Sequence, residues 1–228
     1  MTSQHKKPRA WILFRSGNRI DLLNPRPDAW SDEDLATGLS RTYRWGGHSA
    51  WELPLSVAQH SLTVLAIREA QAKRPLSAGA ALRELLHDAD EALIGGFDCI
   101  SPLKPHLGPE YRAIAARIDA AVRARYRLPA WTVRDHEEHK IADRLAAASE
   151  AHHVVGWRGA SLRRDLGITL QPLHDDPLET PDALKPWEPW PADLAAELFL
   201  VKLKHLQAIR TEQDSASYRQ HRYPVAAE

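Results

Sequence analysis

Apolar residues recur every three or four positions along most of the chain, which is the spacing of amphipathic helices. The pattern predicts helices over about 31–39, 56–72, 77–94, 109–128, 132–153 and 191–210. Near the N-terminus, two short apolar runs flank Ser16-Gly17-Asn18, which predicts a β-hairpin over residues 11–23. Residues 156–191 are rich in proline and tryptophan and are predicted to be irregular, and the polar tail from Thr211 is predicted to fray.

These elements predict an all-α helical bundle with a small N-terminal β-hairpin. We expect one domain over residues 1–228, divided into a hairpin extension (1–30), a helical core (43–153), an irregular insertion (156–191) and a C-terminal helix (192–210). Periodicity also predicts the residues that face the core in four of the helices: Leu82, Leu85, Leu86, Ala89 and Leu93; Ile114, Ile118, Ala121 and Val122; Ile141, Leu145 and Ala148; Leu194, Leu198, Val201 and His205.

Composition narrows the classes of function. Lys plus Arg and Asp plus Glu each total 30. This zero net charge argues against non-specific electrostatic binding to nucleic acid or to an anionic membrane. Cys99 is the single cysteine, so no internal disulfide can form. The apolar run at residues 11–14 is too short for a signal peptide, and no run suits a membrane helix, so we expect a cytoplasmic protein. Twelve histidines favour a metal site.

His87 and Asp88 flank the apolar stripe of the predicted 77–94 helix, and Glu91 shares their side of it. Taken alone, the pair also suits a surface helix that turns outward. However, His60 and Asp143 occupy similar positions, beside the apolar stripes of two other predicted helices. Imidazole and carboxylate ligands together suit a divalent cation, and two carboxylates balance its charge. The sequence therefore predicts one divalent ion (Co, Mn, Mg, Fe, Ni or Zn) bound by His60, His87, Asp88 and Asp143.

The order His, His-Asp, Asp resembles the HD superfamily of metal-dependent phosphohydrolases, and within it the branch of bacterial 5'-deoxynucleotidases. The closer resemblance lies in four features: an Arg-Trp pair before the first histidine, a glutamate after His-Asp, an aspartate in the following loop, and a motif of a small residue, proline, an aliphatic residue and lysine. These features are Arg44-Trp45, Glu91, Asp98 and Ser101-Pro102-Leu103-Lys104. The resemblance covers about residues 43–153. The chain departs from that branch in the hairpin, in residues 46–52, in the segment after Gly156 and in the spacing of Asp98.

The resemblance implies hydrolysis of deoxynucleoside monophosphates to a deoxynucleoside and phosphate. It makes Glu91 and Asp98 the catalytic residues, with Arg44 and Lys104 on the phosphate and Trp45 stacked on the base; without it, Trp45 is equally well explained as a core residue. The nearest rival function is that of a deoxynucleoside triphosphate triphosphohydrolase with the same ligands. A nucleotide-sensing HD module and a di-iron HD oxygenase are also compatible with the HD pattern. A small-molecule nucleotide is the expected partner, and a homodimer is expected by analogy.

The remaining histidines have simpler interpretations. His48 is interpreted as a loop residue, and His136 and His139 as part of a solvated helix face that matters only if the site holds two metals. Trp187-Glu188-Pro189-Trp190 is interpreted as packing for the irregular segment.

Overall fold

The computed structural model describes residues 9–96, 98 and 103–222, with side chains up to residue 215. The predicted hairpin is confirmed: β1 (Trp11–Leu13) pairs antiparallel with β2 (Arg19–Asp21), with Ile12 opposite Ile20. The side chain of Asp34 ties its turn to the first helix, because this carboxylate accepts hydrogen bonds from Ser16 Oγ (2.7 Å) and Asn18 Nδ2 (3.0 Å). Residues 1–8, Cys99 and the Ser101-Pro102 half of the Ser-Pro-Leu-Lys word lie outside the described residues.

The described residues form eight α-helices, so the prediction of a mostly helical chain is confirmed. They are α1 (Asp32–Arg41), α2 (Val57–Gln71), α3 (Ala78–Leu85), α4 (Ala89–Leu93), α5 (Gly108–Arg125), α6 (Val133–Glu150), α7 (Gly159–Leu166) and α8 (Ala192–Arg222). Side-chain caps fix several starts: Ser31, Ser56, Ser77 and Thr132 each accept a hydrogen bond from a backbone N–H of the first helical turn. A π-helical turn, Ala151–Val155, extends α6.

The core lies between α8 and the helices that contain the predicted ligands. α8 packs against α1, α2 and α3, while α2 also packs against α3 and α6. The predicted inner stripe of the 77–94 segment is buried from Leu82 to Leu93. None of the helices in the described part of the chain combines the length and apolar composition needed to cross a bilayer.

The prediction of one continuous helix over 77–94 is wrong. The backbone leaves helical geometry at Leu86 (φ −102°, ψ 14°) and Asp88 (φ −111°, ψ 21°), so α3 and α4 are separate. In a continuous helix, adjacent residues project about 100° apart, so His87 and Asp88 would diverge. The break lets both side chains reach the same point, with His87 Nε2 3.1 Å from Asp88 Oδ2.

Two predicted inner faces are also wrong in part. Ile141 is 51% exposed, and α6 buries His139, Ala142 and Ala146 instead. Val201 is 59% exposed and His205 is exposed. α8 has two neighbouring apolar rows, and the one that reaches the core consists of Ala195, Phe199, Leu203 and Leu206. Packing against α1 and α3 selects between rows that periodicity alone cannot rank.

The C-terminal third is more ordered than predicted. Residues 156–191 contain α7, and α8 continues through the tail that was expected to fray. The irregular part is anchored on α2 by Gln59, whose Nε2 donates to Glu188 O (3.1 Å) and whose Oε1 accepts from Trp190 N (2.8 Å). Gln59 precedes His60 in α2, so this segment is fixed on the helix that contains one of the predicted metal ligands.

Candidate metal centre

The structure brings the four predicted ligands together. His60 Nε2, from α2, lies 3.5 Å from Asp143 Oδ1 of α6 and 3.6 Å from Asp88 Oδ2. One ligand atom each from His60, His87 and Asp143 lies within 4.8 Å of the others, and this group is a candidate metal-binding cluster. Asp88 is outside that group, although its Oδ2 is close to Nε2 of both histidines.

Hydrogen bonds fix the orientation of both histidines. His87 Nδ1 is 2.8 Å from the backbone carbonyl of Glu84, which can only accept, so Nδ1 carries a proton and Nε2 is the nitrogen that faces the carboxylates. His60 Nδ1 is held in the same way, 2.5 Å from Glu150 Oε1. Both Nε2 atoms are buried and have no hydrogen-bond partner among the described residues. Two imidazole Nε2 atoms that face carboxylates fit a cation between them, because each can become a metal ligand once it is deprotonated.

The charges of the cluster are strongly coupled. Burial and Arg44 lower the pKa of His60, but Glu150 and Asp143 outweigh them and raise it to about 9. Burial raises the pKa of Asp143, but His60 and His87 hold it well below its usual range. A proton on His60 therefore offsets the buried carboxylates when no cation is bound. Binding of a divalent cation would displace that proton.

Glu150, at the end of α6, is a site residue that the sequence pattern did not predict. It is 1% exposed, and its Oε2 accepts from Arg44 Nε (2.9 Å) and Trp45 Nε1 (3.3 Å) while Oε1 faces His60. Burial raises the pKa of Glu150, but Arg44 and His60 lower it to about 2, so it is a carboxylate. The available signal was a glutamate within a buried, alanine-rich helix end, two turns after Asp143.

Arg44 and Trp45 lie at the edge of the cluster. They belong to a short 3-10 segment, Arg44–Gly47, in which Trp45 adopts a left-handed backbone (φ 57°, ψ 28°). Such a conformation is costly for a bulky residue and tends to occur at functional sites. Arg44 Nη1 is 3.9 Å from Asp88 Oδ2. The predicted phosphate-binding arginine is thus beside the candidate ligands.

Glu91, Lys104 and Asp98 form a second charged group near Asp88. Lys104 Nζ donates to Glu91 Oε1 (3.2 Å), while Glu91 Oε2 is buried with no partner among the described residues. Burial, Asp88 and Asp98 raise the pKa of Glu91 to about 9. Burial and Asp88 also raise the pKa of Asp98, against the effect of Arg44. These acids hold protons more tightly than carboxyl groups in water.

His139 is not on a solvated face, so that prediction is wrong. It is 3% exposed, and its ring packs edge-on against His87 at 4.8 Å between centroids. Its Nδ1 lies 2.7 Å from Glu84 Oε2, and Arg68 holds the other oxygen of that carboxylate. His136 is exposed as expected, and so is His48. Trp187 and Trp190 are buried as packing residues, with Trp187 stacked on His153.

No protein-family model matches the chain. An uncharacterized protein of Rhodobacter capsulatus is 38% identical over 160 residues, which cover 70% of this chain and 80% of that protein. Identity at this level, over most of both chains, reflects common descent and a shared fold. The chain therefore belongs to the same family as this Rhodobacter capsulatus protein.

Proposed function

We propose that the protein is a divalent-metal phosphohydrolase of the HD type that acts on deoxynucleoside monophosphates. One observation carries the proposal: two buried imidazole Nε2 atoms, without partners among the described residues, face Asp88 and Asp143, with Arg44 beside them. The resemblance of residues 43–153 to bacterial 5'-deoxynucleotidases supports the same conclusion.

The ligands would be His60, His87, Asp88 and Asp143, a nitrogen and oxygen set that suits Mn, Co, Fe, Ni or Zn. A divalent ion bound there lowers the pKa of a coordinated water and polarises a phosphate oxygen. The protein itself supplies the orientation, because Glu150 and the carbonyl of Glu84 fix the two imidazole rings. Asp88 and Asp143 balance the charge of the ion.

The surrounding residues are suited to hold a phosphate ester and to move protons. The guanidinium of Arg44 is 14% exposed and can donate in a fork to phosphate oxygens once Asp88 is engaged by the ion. Lys104, 41% exposed, offers a point charge at the outer side. Trp45 provides a flat apolar surface for a base.

Glu91 is the proposed proton acceptor for the attacking water, in the ionised form that a bound divalent cation would favour by lowering its raised pKa. Its Oε2 has no partner among the described residues, and Lys104 holds the other oxygen. Asp98 is the proposed donor to the leaving 5'-oxygen. Burial and the charge of Asp88 raise the pKa of both carboxyl groups and the charge of Arg44 lowers it, which supports roles for both near the cluster.

A metal-content and product assay tests the proposal. Protein reconstituted with Mn or Co is offered deoxynucleoside mono- and triphosphates, and we expect orthophosphate from the monophosphates. His87→Ala and Asp143→Ala should lose both bound metal and activity, whereas His48→Ala, at an exposed loop histidine, should keep both. Unchanged metal stoichiometry in His87→Ala and Asp143→Ala would overturn the metal site. Triphosphate as the product would move the protein to the triphosphohydrolase class.

A further inference from the structure

A cavity of about 180 Å³ adjoins the candidate metal cluster. It is lined by the end of α3, by α5, by the connection that follows α5 and by α6. The lining residues include Arg83, His87, Asp119, Arg123, His136 and Lys140. His87 therefore lines the cavity and also belongs to the cluster.

The lining carries three cationic side chains, Arg83, Arg123 and Lys140, and one exposed carboxylate, Asp119. Arg83 is paired with Asp135 and Lys140 with Asp143, whereas Arg123 has no ion-pair partner among the described residues. Lys140 also connects the two sites, because its Nζ lies 3.2 Å from Asp143 Oδ2. A concave surface with one unpaired arginine beside two paired cations favours an anionic ligand over a cationic one.

The side chain of Arg83 is buried in the cavity lining and is held in one position by its neighbours. This side chain is 5% exposed; Nη1 donates to Ala130 O (2.8 Å), Nη2 pairs with Asp135 (3.2 Å), and the guanidinium stacks over Trp131 at 3.9 Å. Its Nε is buried and has no hydrogen-bond partner among the described residues. An unpaired buried donor is costly, which favours an acceptor group in the cavity.

Arg123 is the second feature that points to a ligand. It is half-buried on α5, and its side chain makes no hydrogen bond or salt bridge with any other described residue. Burial raises the pKa of Asp119, one turn away, and the charge of Arg123 opposes that rise. Its guanidinium is thus available to a group inside the cavity, and Lys140 and His136 stand on the α6 wall.

We propose that this cavity binds a phosphate group additional to the one at the metal cluster. The phosphate has two chemical sources: the distal phosphates of a nucleoside polyphosphate, or free inorganic phosphate. The inference rests on the proposed function and deepens it, since the added phosphate would lie next to the reacting one. The binding itself can be measured without turnover.

Arg123→Ala is the test variant, and Arg117→Ala, at an exposed arginine of the same helix, is its matched control. Calorimetric titration with inorganic phosphate and with tripolyphosphate is done on the full chain at a fixed Mn²⁺ concentration. We expect two phosphate sites in the wild type and in Arg117→Ala, and weakening of one by about tenfold or more in Arg123→Ala, from loss of a charge-assisted hydrogen bond. If the metal site fails but the cavity is real, the count falls to one site, and Arg123→Ala weakens that site by about tenfold or more.

Kinetics then identify the source of the phosphate. Inhibition of monophosphate hydrolysis by deoxynucleoside triphosphates that Arg123→Ala weakens about tenfold identifies a polyphosphate tail, whereas a weakening confined to product inhibition by orthophosphate identifies free phosphate. Arg123→Lys, which keeps the charge, should restore most of the binding. Equal phosphate affinity in the wild type, Arg123→Ala and Arg117→Ala would overturn the proposal, and so would an absence of any binding to the wild type.

Discussion

The carboxylate of Glu150 lies 2.5 Å from Nδ1 of His60, and its second oxygen accepts from Arg44. One buried side chain therefore orients a candidate metal ligand and the arginine proposed to bind phosphate. Such a shared carboxylate couples the two functions, because any shift of Glu150 moves both partners.

Glu150→Gln should weaken metal binding by roughly 10–100-fold, the usual effect of losing a carboxylate behind a histidine ligand. It should also raise KM, because Arg44 loses its ionic partner. Metal affinity is measured by competition with a chelating dye. Glu137→Gln, at an exposed position of α6, is the control and should change neither value. Wild-type metal affinity in Glu150→Gln would show that His60 needs no such support.

Glu91→Gln should retain metal but lower kcat by roughly 10²–10⁴-fold, because the amide keeps the shape and cannot accept the proton. Metal content and kcat are measured on the same preparation. Glu110→Gln, an exposed position of α5, serves as the control. A rate near that of the wild type would remove Glu91 from the chemistry, and loss of metal would give it a structural role instead.

Gln59→Leu should destabilise the fold by about 2–3 kcal/mol. The reason is that Glu188 O and Trp190 N each lose their hydrogen-bond partner, and leucine offers no replacement. Urea unfolding followed by tryptophan fluorescence gives the free energy of unfolding. Gln71→Leu makes the same change at the exposed end of α2 and should cost much less. Equal losses in the two variants would contradict the anchoring role of Gln59.

The contribution of Asp34 to stability should depend on pH. Burial raises its pKa, but hydrogen bonds from Ser16, Ser31 and Asn18 lower it below the ordinary value of 3.8. A depressed native pKa gives stability that is present above the unfolded pKa and is lost as the pH falls through the folded value. Asp34→Asn should thus cost on the order of 1–2 kcal/mol at pH 7.

The free energy of unfolding of Asp34→Asn should converge with that of the wild type as the pH falls below 3.8. Urea titrations at a series of pH values give this difference. Asp175→Asn is the control, since that side chain is 93% exposed. A difference that does not change with pH would assign the effect to shape and not to charge.

Most helices could be predicted because their caps and apolar stripes are local signals, as with Ser31 and Leu82–Leu93. The break at residues 86–88 could not, since the local pattern is that of a good helix. The break exists because His87 and Asp88 converge on His60, a contact between distant parts of the chain. Tertiary contacts outweigh helix propensity at such a point.

The candidate site was predictable in its ligand types but not in its supporting residues. His60, His87, Asp88 and Asp143 are conspicuous beside apolar stripes. His139 occurs among charged residues that suggest a surface, and Glu150 occurs in an alanine-rich segment that has no strong apolar stripe. Both are buried because α6 faces the site with small and polar side chains, so hydrophobicity does not mark its inner face. A buried ion pair or hydrogen bond leaves no periodic trace in the sequence.

The packing of α8 on α1 and α3 determines when this protein can finish folding during its synthesis. During translation, α1, α2 and α3 leave the ribosome first. Leu39 and Leu82 share one core cluster with Phe199 and Leu203, so that cluster is complete only after α8 has left the ribosome. The metal ligands should therefore assemble late, after almost the whole chain has been translated. A chain truncated before α8 should leave these core residues exposed. We therefore expect it to be inactive, prone to aggregation and dependent on chaperones.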